Sequence, residues 1–250
     1  MSAFLIVHNE ERHLGECLAS LGGLADEIVV LDDGSTDATV AIARAAGARV
    51  EHRPFDDFGR QKQAALELTR GEWVLSLDAD ERLTPALTEE IRTVVARDGG
   101  PNGYWVRREL IYLGRPLRHG GAESDWVLRL ARRGAARFAP LPVHEHLEVD
   151  GRSARLRGTL HHHKYLTISE HLATIDRYTT MIAERKRARG ATFRGWHVLR
   201  IGWELFVRLV LRLGVLDGRA GVLHAAMASF YAFLKYAKLW PDEPGGGQGR

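Results

Sequence analysis

The chain has 250 residues, 45% of them hydrophobic and 27% charged, which excludes a disordered or fibrous protein and leaves one large globular domain or a domain with an appendage. A formal charge of +3 conceals an asymmetry: residues 1–106 hold 10 Lys+Arg against 19 Asp+Glu, and residues 107–250 hold 25 against 13. The two halves therefore face different chemistry. The single cysteine, Cys17, sits in an apolar helical pattern with Leu18 and Leu21, so an internal disulfide is excluded and a buried thiol in a reducing, cytosolic compartment is expected. Five apolar residues, Ala3–Val7, reach His8-Asn9-Glu10 with no basic leader, too short for a signal peptide, and no secretion is expected.

In chain order, Ala3–Val7 suits a buried parallel strand, and Glu11–Leu21 follows with helical spacing at Leu14, Leu18 and Leu21. Glu27–Leu31 is a second strand, closed by Asp32-Asp33-Gly34-Ser35-Thr36-Asp37. Ala38–Ala46 is helical, with Ser35 or Thr36 as N-cap and Gly47 as its stop, and Ala48–Glu51 is a third strand. Gln61–Thr69 is helical and Trp73–Leu77 is a fourth strand ending in Asp78-Ala79-Asp80-Glu81. This alternation predicts an α/β fold with a mostly parallel sheet covered on both faces. Pro85–Arg97 reads as a helix, Tyr104–Leu113 as a strand that turns back at Gly114-Arg115-Pro116, and Asp125–Arg133 as a further helix.

From Thr167 the texture changes to long helices. Trp196–Leu216 is dominated by Trp, Leu, Val and Phe, while Arg200, Glu204, Arg208 and Arg212 recur every four residues as one charged stripe. Those charges argue against a spanning helix, and Ala220–Leu234 is shorter than the ~20 residues a bilayer requires. Two helices lying in a membrane interface are expected, with the basic stripe attracted to anionic lipid; the alternative is a helical pair packed on the catalytic domain or joining two subunits. The expected division is residues 1–165 as the catalytic domain, 166–240 as a helical membrane-associating region and 241–250 as a Gly-rich tail without a core.

Open α/β sheets bind ligands at the carboxyl ends of their strands, where this chain carries His8-Asn9-Glu10, Asp32-Asp33 and Asp78-Ala79-Asp80. Asp78 and Asp80 on one turn offer hard oxygen ligands to Mg²⁺ or Mn²⁺, with a phosphate completing the shell. Acidic pairs also hold metal in haloacid-dehalogenase phosphatases and receiver domains, but those follow the first strand, whereas this pair follows the fourth.

Val7-His8-Asn9-Glu10-Glu11, Val30-Leu31-Asp32-Asp33-Gly34-Ser35-Thr36-Asp37, Gln61-Lys62-Gln63-Ala64 and Leu77-Asp78-Ala79-Asp80-Glu81 together resemble, in order and separation, the nucleotide-sugar half of family-2 glycosyltransferases. The resemblance implies a GT-A fold, an inverting sugar transfer and a divalent metal at Asp78 and Asp80. It also implies that Asn9 and Glu10 flank the nucleoside, that Asp32 or Asp33 bonds uracil, and that Lys62 lies near the ribose or phosphates, with Asp78 shared by metal and nucleotide-sugar. His119–Leu130, Val143-His144-Glu145-His146 and Phe233–Trp240 resemble lipopolysaccharide core-biosynthesis glycosyltransferases, which implies transfer of a hexose, often glucose, to a core acceptor on the cytoplasmic face of the inner membrane.

An inverting transfer needs one base for the acceptor hydroxyl. Asp125 corresponds to the acid that the family places at a helix start beside the acceptor, although Ser124 separates it from Glu123; Glu145 is the rival. His144 or His162 could join the metal shell, and in the run His161-His162-His163 the middle ring points away from its neighbours. No Gln-x-x-Arg-Trp motif of processive synthases is present. The partners expected are a nucleotide-sugar, an anionic glycan or glycolipid and a membrane surface. A nucleic-acid binder is disfavoured because the basic residues track apolar helices. A nucleotidyltransferase acting on sugar phosphates, or a peripheral scaffold without activity, are the alternatives.

Overall fold

The computed structural model describes residues 1–97, 99–122, 125–138 and 146–240, and the chain divides into two units, residues 1–109 with 124–163, and residues 110–123 with 164–250.

In the first unit, β1 (Ser2–Val7), β2 (Glu27–Asp32), β3 (Arg49–His52) and β4 (Trp73–Ser76) are parallel, in the order β3-β2-β1-β4, with α1 (Leu14–Ser20), α2 (Thr39–Ala45) and α3 (Phe58–Leu68) as crossovers. β1, β2 and β4 carry unbroken apolar runs (Ala3–Val7, Ile28–Leu31 and Trp73–Leu75) because both faces of the sheet are covered there, whereas β3, Arg-Val-Glu-His, is the polar edge strand. Along β1, Ala3, Leu5 and Val7 enter the core under α1, while Phe4 packs on the other face with Ala65 and Leu66 of α3. Cys17 of α1 is fully buried in that first core, and burial pushes its thiol up, as expected of an inert packing residue.

Beyond β4 come β5 (Glu81–Leu83), α4 (Pro85–Val95), β6 (Gly103–Tyr112), β7 (Arg115–Pro116), β8 (Asp125–Arg132), β9 (Ala136–Phe138), β10 (Leu147–Val149) and β11 (Ser153–Tyr165). The sheet continues β4-β8-β6-β11-β5, with β8 antiparallel to both β4 and β6 and β11 antiparallel to β5; β9 and β10 form a separate ladder.

Asp125–Arg132 is thus a strand, not the helix its sequence suggested. Tyr104 pairs with Leu130 and the next residue of β6, Trp105, pairs with Leu128, so Arg129 is an extra residue, a β-bulge. The bulge breaks the two-residue period: Val127 and Leu130 join one core while Leu128 and Ala131 join the other, and that apolar spacing imitates a helix.

Two caps also differ from expectation. Ser35 and Thr36 do not cap α2; the Asp37 carboxylate accepts the Thr39 N–H at 2.9 Å, while Ser35 and Thr36 bond to Asn9. In α3, Asp57 accepts the Arg60 N–H at 2.8 Å and starts the helix before Gln61.

The second unit contains the β6–β7 turn and α5 (Ile168–Arg187), α6 (Leu199–Phe206) and α7 (Gly218–Ala237). A Thr167–Glu170 capping box opens α5. The expected single helix Trp196–Leu216 is broken: α6 runs into a π-helical turn at Val207–Leu211, Leu213 is left-handed at φ 55°, and a 3₁₀ turn covers Gly214–Asp217. Small residues explain the docking of α7, since Gly221, Ala225, Ser229 and Ala232 form its buried stripe.

At Gly158 of β11, a Cβ would lie 2.5 Å from the Leu87 Cα and 2.7 Å from its nitrogen, so the N-terminus of α4 rests on bare backbone. Gly158→Ala should therefore destabilise the chain by about 1–3 kcal/mol in urea unfolding, the cost of overpacking against backbone that cannot yield.

Candidate active site

The site sits at the carboxyl ends of β1, β2 and β4, where the parallel strands release their loops. The loops after β1 and β2 are tied to each other. Asn9, in the left-handed region at φ 56°, accepts the Thr36 N–H at 2.8 Å and donates its own N–H to Ser35 Oγ at 2.9 Å. The Glu10 N–H bonds Thr39 Oγ1 at 2.7 Å, and Glu11 accepts the Ala38 N–H at 3.1 Å. Asp32 is buried, and its carboxylate accepts the N–H groups of Gly34 and Ser35, shaping its own loop; Gly34 supplies φ 102° there. Asp33 pairs instead with His8 Nδ1 and keeps a partly exposed side chain.

Lys62 is buried, not a solvated surface lysine, because α3 carries it under the sheet end, and its Nζ lies 3.0 Å from Asp78 Oδ1. The other Asp78 oxygen accepts from Arg129 Nη2 at 2.5 Å, and the same nitrogen reaches Glu81 Oε1 at 2.5 Å. Glu81 also accepts from Arg108 Nη1 at 3.2 Å, and Arg108 closes a two-pronged pair on Asp125 at 3.0 and 2.7 Å. Lys62, Asp78, Arg129, Glu81, Arg108 and Asp125 thus alternate in sign along one line. Burial alone would raise the Asp78 carboxyl, but Arg129 and Lys62 hold it far below the usual range, and the same acids keep Arg129 charged in spite of its burial. The Asp-x-Asp turn is correspondingly less exposed than its polar sequence suggested: Ala79 and Glu81 are buried.

Asp80 faces elsewhere. Its Oδ2 lies 3.0 Å from His162 Nε2 on β11, and although burial opposes it, this imidazole holds Asp80 below the ordinary carboxylate range. His161 and His163 share the other side of the strand, with rings 6.2 Å apart, and His163 meets Arg82. Among the described residues no group of three His, Cys, Asp or Glu is arranged to hold a metal, so protein atoms alone do not complete a coordination shell. Asp80 and His162 do fit a divalent cation, as one hard oxygen and one imidazole nitrogen side by side, whereas Asp78 is already committed to two fixed cations.

Asp125 is half-exposed. Burial would raise its carboxyl, but the Arg108 pair outweighs this and lowers it. Its neighbour across the line, Arg129, was not among the expected site residues, nor were Glu81 and Arg108. A signal for Arg129 existed in its position as a lone cation inside Val127-Leu128-Arg129-Leu130-Ala131, and Glu81 directly follows the acidic pair. Glu145 and His144 lie outside the described residues.

Residues 2–145 match the family described as Glycosyl transferase family 2. The chain belongs to this family. Over 96% of its length it is 34% identical to the lipopolysaccharide core biosynthesis glycosyltransferase LpsC of Rhizobium meliloti, covering 92% of that protein. An uncharacterized glycosyltransferase of Rickettsia typhi, RT0209, is 27% identical over 96% of this chain and 86% of its own. A partial structural likeness extends to glucosyl-3-phosphoglycerate synthase from Mycobacterium tuberculosis, solved with Mn²⁺, UDP-glucose and phosphoglyceric acid, at 23% identity, 54% of this chain, 56% of that one and a TM-score of 0.40. The family is the one whose motifs the sequence carries, and the chain is a glycosyltransferase with a GT-A fold.

Glu10 is the site's most perturbed acid that lacks a cationic clamp. Burial first, then the negative charges of Asp80, Asp37 and Asp78, push its carboxyl up to about 7. Since the unfolded chain loses this proton near its ordinary value of 4.5, the protonated native carboxyl favours the fold at low pH, and that advantage is lost as pH rises through about 7. The melting temperature of Glu10→Gln should therefore match wild type near pH 4 and exceed it progressively toward pH 8. A difference constant with pH would contradict the assignment.

Proposed function

We propose that the chain is an inverting, metal-dependent hexosyltransferase that moves a hexose, glucose foremost, from a UDP-linked donor to a lipopolysaccharide-core acceptor. The acceptor class follows from what its relative LpsC is named for. The observation that carries the chemistry is the division of labour within the Asp-x-Asp turn: Asp78 is clamped by Lys62 and Arg129, and Asp80 stands beside His162.

In this reading Asp80 and His162 hold Mg²⁺ or Mn²⁺, which when bound offsets charge on the leaving diphosphate. Lys62 is fixed by Asp78 and presents its ammonium to the donor phosphates. Asn9 and Glu10 border the nucleoside through the tied loops. Asp33 is better suited than Asp32 to accept the uracil N–H, because the Asp32 carboxylate already receives two backbone N–H groups. Asp125 takes the proton from the acceptor hydroxyl while Arg108 orients it. Its lowered carboxyl keeps it ionised at neutral pH, and the Arg108 pair makes it a modest base that serves by position.

The second unit supports placement on a membrane surface, the cytoplasmic face of the inner membrane in this reading. No helix among the described residues is long and apolar enough to cross a membrane. Leu199, Trp203, Val210, Leu211, Val215 and Leu216 are more than half exposed. The charged stripe is divided: Arg208 bonds the Gly120 carbonyl at 3.0 Å and pairs with Glu204, Arg200 stacks over Tyr236 at 4.9 Å, and Arg212 is exposed. An outward apolar face with Arg200 and Arg208 engaged by the protein implies adsorption through apolar side chains more than through these two arginines.

With UDP-glucose and Mn²⁺, wild type should slowly hydrolyse the donor, and Asp80→Ala should reduce that rate at least ~100-fold with melting temperature preserved; near-wild-type activity in Asp80→Ala would refute the metal assignment. Asp125→Asn should lower acceptor transfer by ~10²–10⁴-fold while leaving UDP affinity within about twofold. In vesicle co-sedimentation, Trp203→Ser with Leu216→Ser should weaken binding at least ~10-fold, from the transfer free energy of two large apolar side chains, and wild-type binding should largely persist in added salt.

A further inference from the structure

The second unit holds a cavity of about 400 Å³ between α5 and α7, closed at one side by Gly121 and lined among others by Lys164, His171, Tyr178, Arg208, His224 and Tyr231. Among the described residues none that lines it is acidic. Two permanent cations contribute to it, and a third stands alongside: Gly121, at φ 78°, is overlain by guanidinium groups, since a Cβ there would collide with Arg212 Nη1 and come within 3.1 Å of Arg208 Nη1. Outside the lining, Glu204 of α6 pairs with Arg208 at 3.6 Å and Asp217 pairs with His119 at 2.8 Å.

The rest of the lining is neutral and donor-rich. His171 accepts or donates with the Tyr112 hydroxyl at 3.0 Å, and its ring stacks on Tyr165 at 4.0 Å, so that wall is rigid. Both imidazoles are pushed down to about 4, His171 by burial and then Lys164, His224 by burial and then Arg208, His171 and Lys164, with Asp217 opposing. They are neutral at physiological pH. Tyr178 and Tyr231 add hydroxyl donors at the same opening.

A polar cavity lined by two cations and by no acid among the described residues, in a unit that also exposes several large apolar side chains, suits an amphiphile with an anionic head. We propose that this cavity is a binding site for the phosphate of a membrane-lipid headgroup, held by Lys164 and Arg208 with the tyrosine hydroxyls. Phosphate oxyanions match the convergent ammonium and guanidinium donors. The volume leaves room for a glycerol or sugar moiety beside the phosphate.

The test is titration calorimetry on the full chain in EDTA without nucleotide-sugar, so its outcome is separate from that of the transfer reaction. The probes are dihexanoylphosphatidylglycerol below its micellar concentration, inorganic phosphate, and uncharged octyl glucoside as a control. Saturable lipid binding that weakens about fivefold or more in Lys164→Gln and recovers in Lys164→Arg supports the site. Tyr231→Phe, which removes one hydroxyl and no charge, should weaken it to a smaller degree and decides the matter if Lys164→Gln does not fold. Parallel binding of inorganic phosphate would show that the oxyanion suffices, and lipid binding alone would show that the head must arrive on its lipid. Failure of both phosphate probes to saturate wild type, affinity for octyl glucoside equal to that for the lipid, or unchanged affinity in both Lys164→Gln and Tyr231→Phe would overturn the proposal.

Discussion

One buried cation organises the catalytic unit. Arg129 occupies the β-bulge of β8, and its guanidinium bridges Asp78 and Glu81 at 2.5 Å each. An ion in such a place is costly unless every charge around it is matched, and here the matching extends from Lys62 to Asp125. The interaction therefore does more than stabilise: it fixes the turn after β4, which leaves Asp80 to face His162 rather than fold back on Lys62. The bulge is the backbone device that aims the side chain. Without the extra residue in β8, the register between β6 and β8 on either side of Arg129 would shift by one residue.

Much of this could be read before the structure. Three of the parallel strands, β1, β2 and β4, were legible because they are short apolar runs ending in polar clusters, and the acids of those clusters do converge at one sheet end. Lys62 was legible only through its motif, since nothing in Gln61-Lys62-Gln63 indicates burial. Arg129 was legible only as a lone cation in an apolar run; its strand setting was hidden, because the bulge that creates its position also scrambles the two-residue period from which a strand is recognised. Likewise the charge asymmetry was real but its interpretation was incomplete. Within the basic half, Arg108 and Arg129 are neutralised in the site, Arg132 pairs with Glu72 and Arg137 pairs with Glu148 and Asp150, while Arg115, Arg118 and Arg133 are exposed.

The helical unit illustrates the converse limit. A four-residue recurrence of charge does identify one helix face, but periodicity cannot say which face is inside. Here Arg208 bonds a carbonyl and Arg200 lies over an aromatic ring, while Trp203, Leu211 and Leu216 face outward beside an exposed Arg212. The break at Val207–Leu213 was equally hidden, because the composition is helix-compatible throughout and the left-handed Leu213 is imposed by the chain's return into α7.

The central claim is that Arg129 holds the donor site together, and urea unfolding of Arg129→Met, combined with Mn²⁺-dependent UDP titration, tests it most directly. Removing the cation leaves Asp78 and Glu81 buried without their shared partner, so a loss of about 3–5 kcal/mol is predicted, along with UDP affinity reduced at least ~10-fold under conditions where the variant is still folded. A variant within about 0.5 kcal/mol of wild type that binds UDP with full affinity would contradict the account.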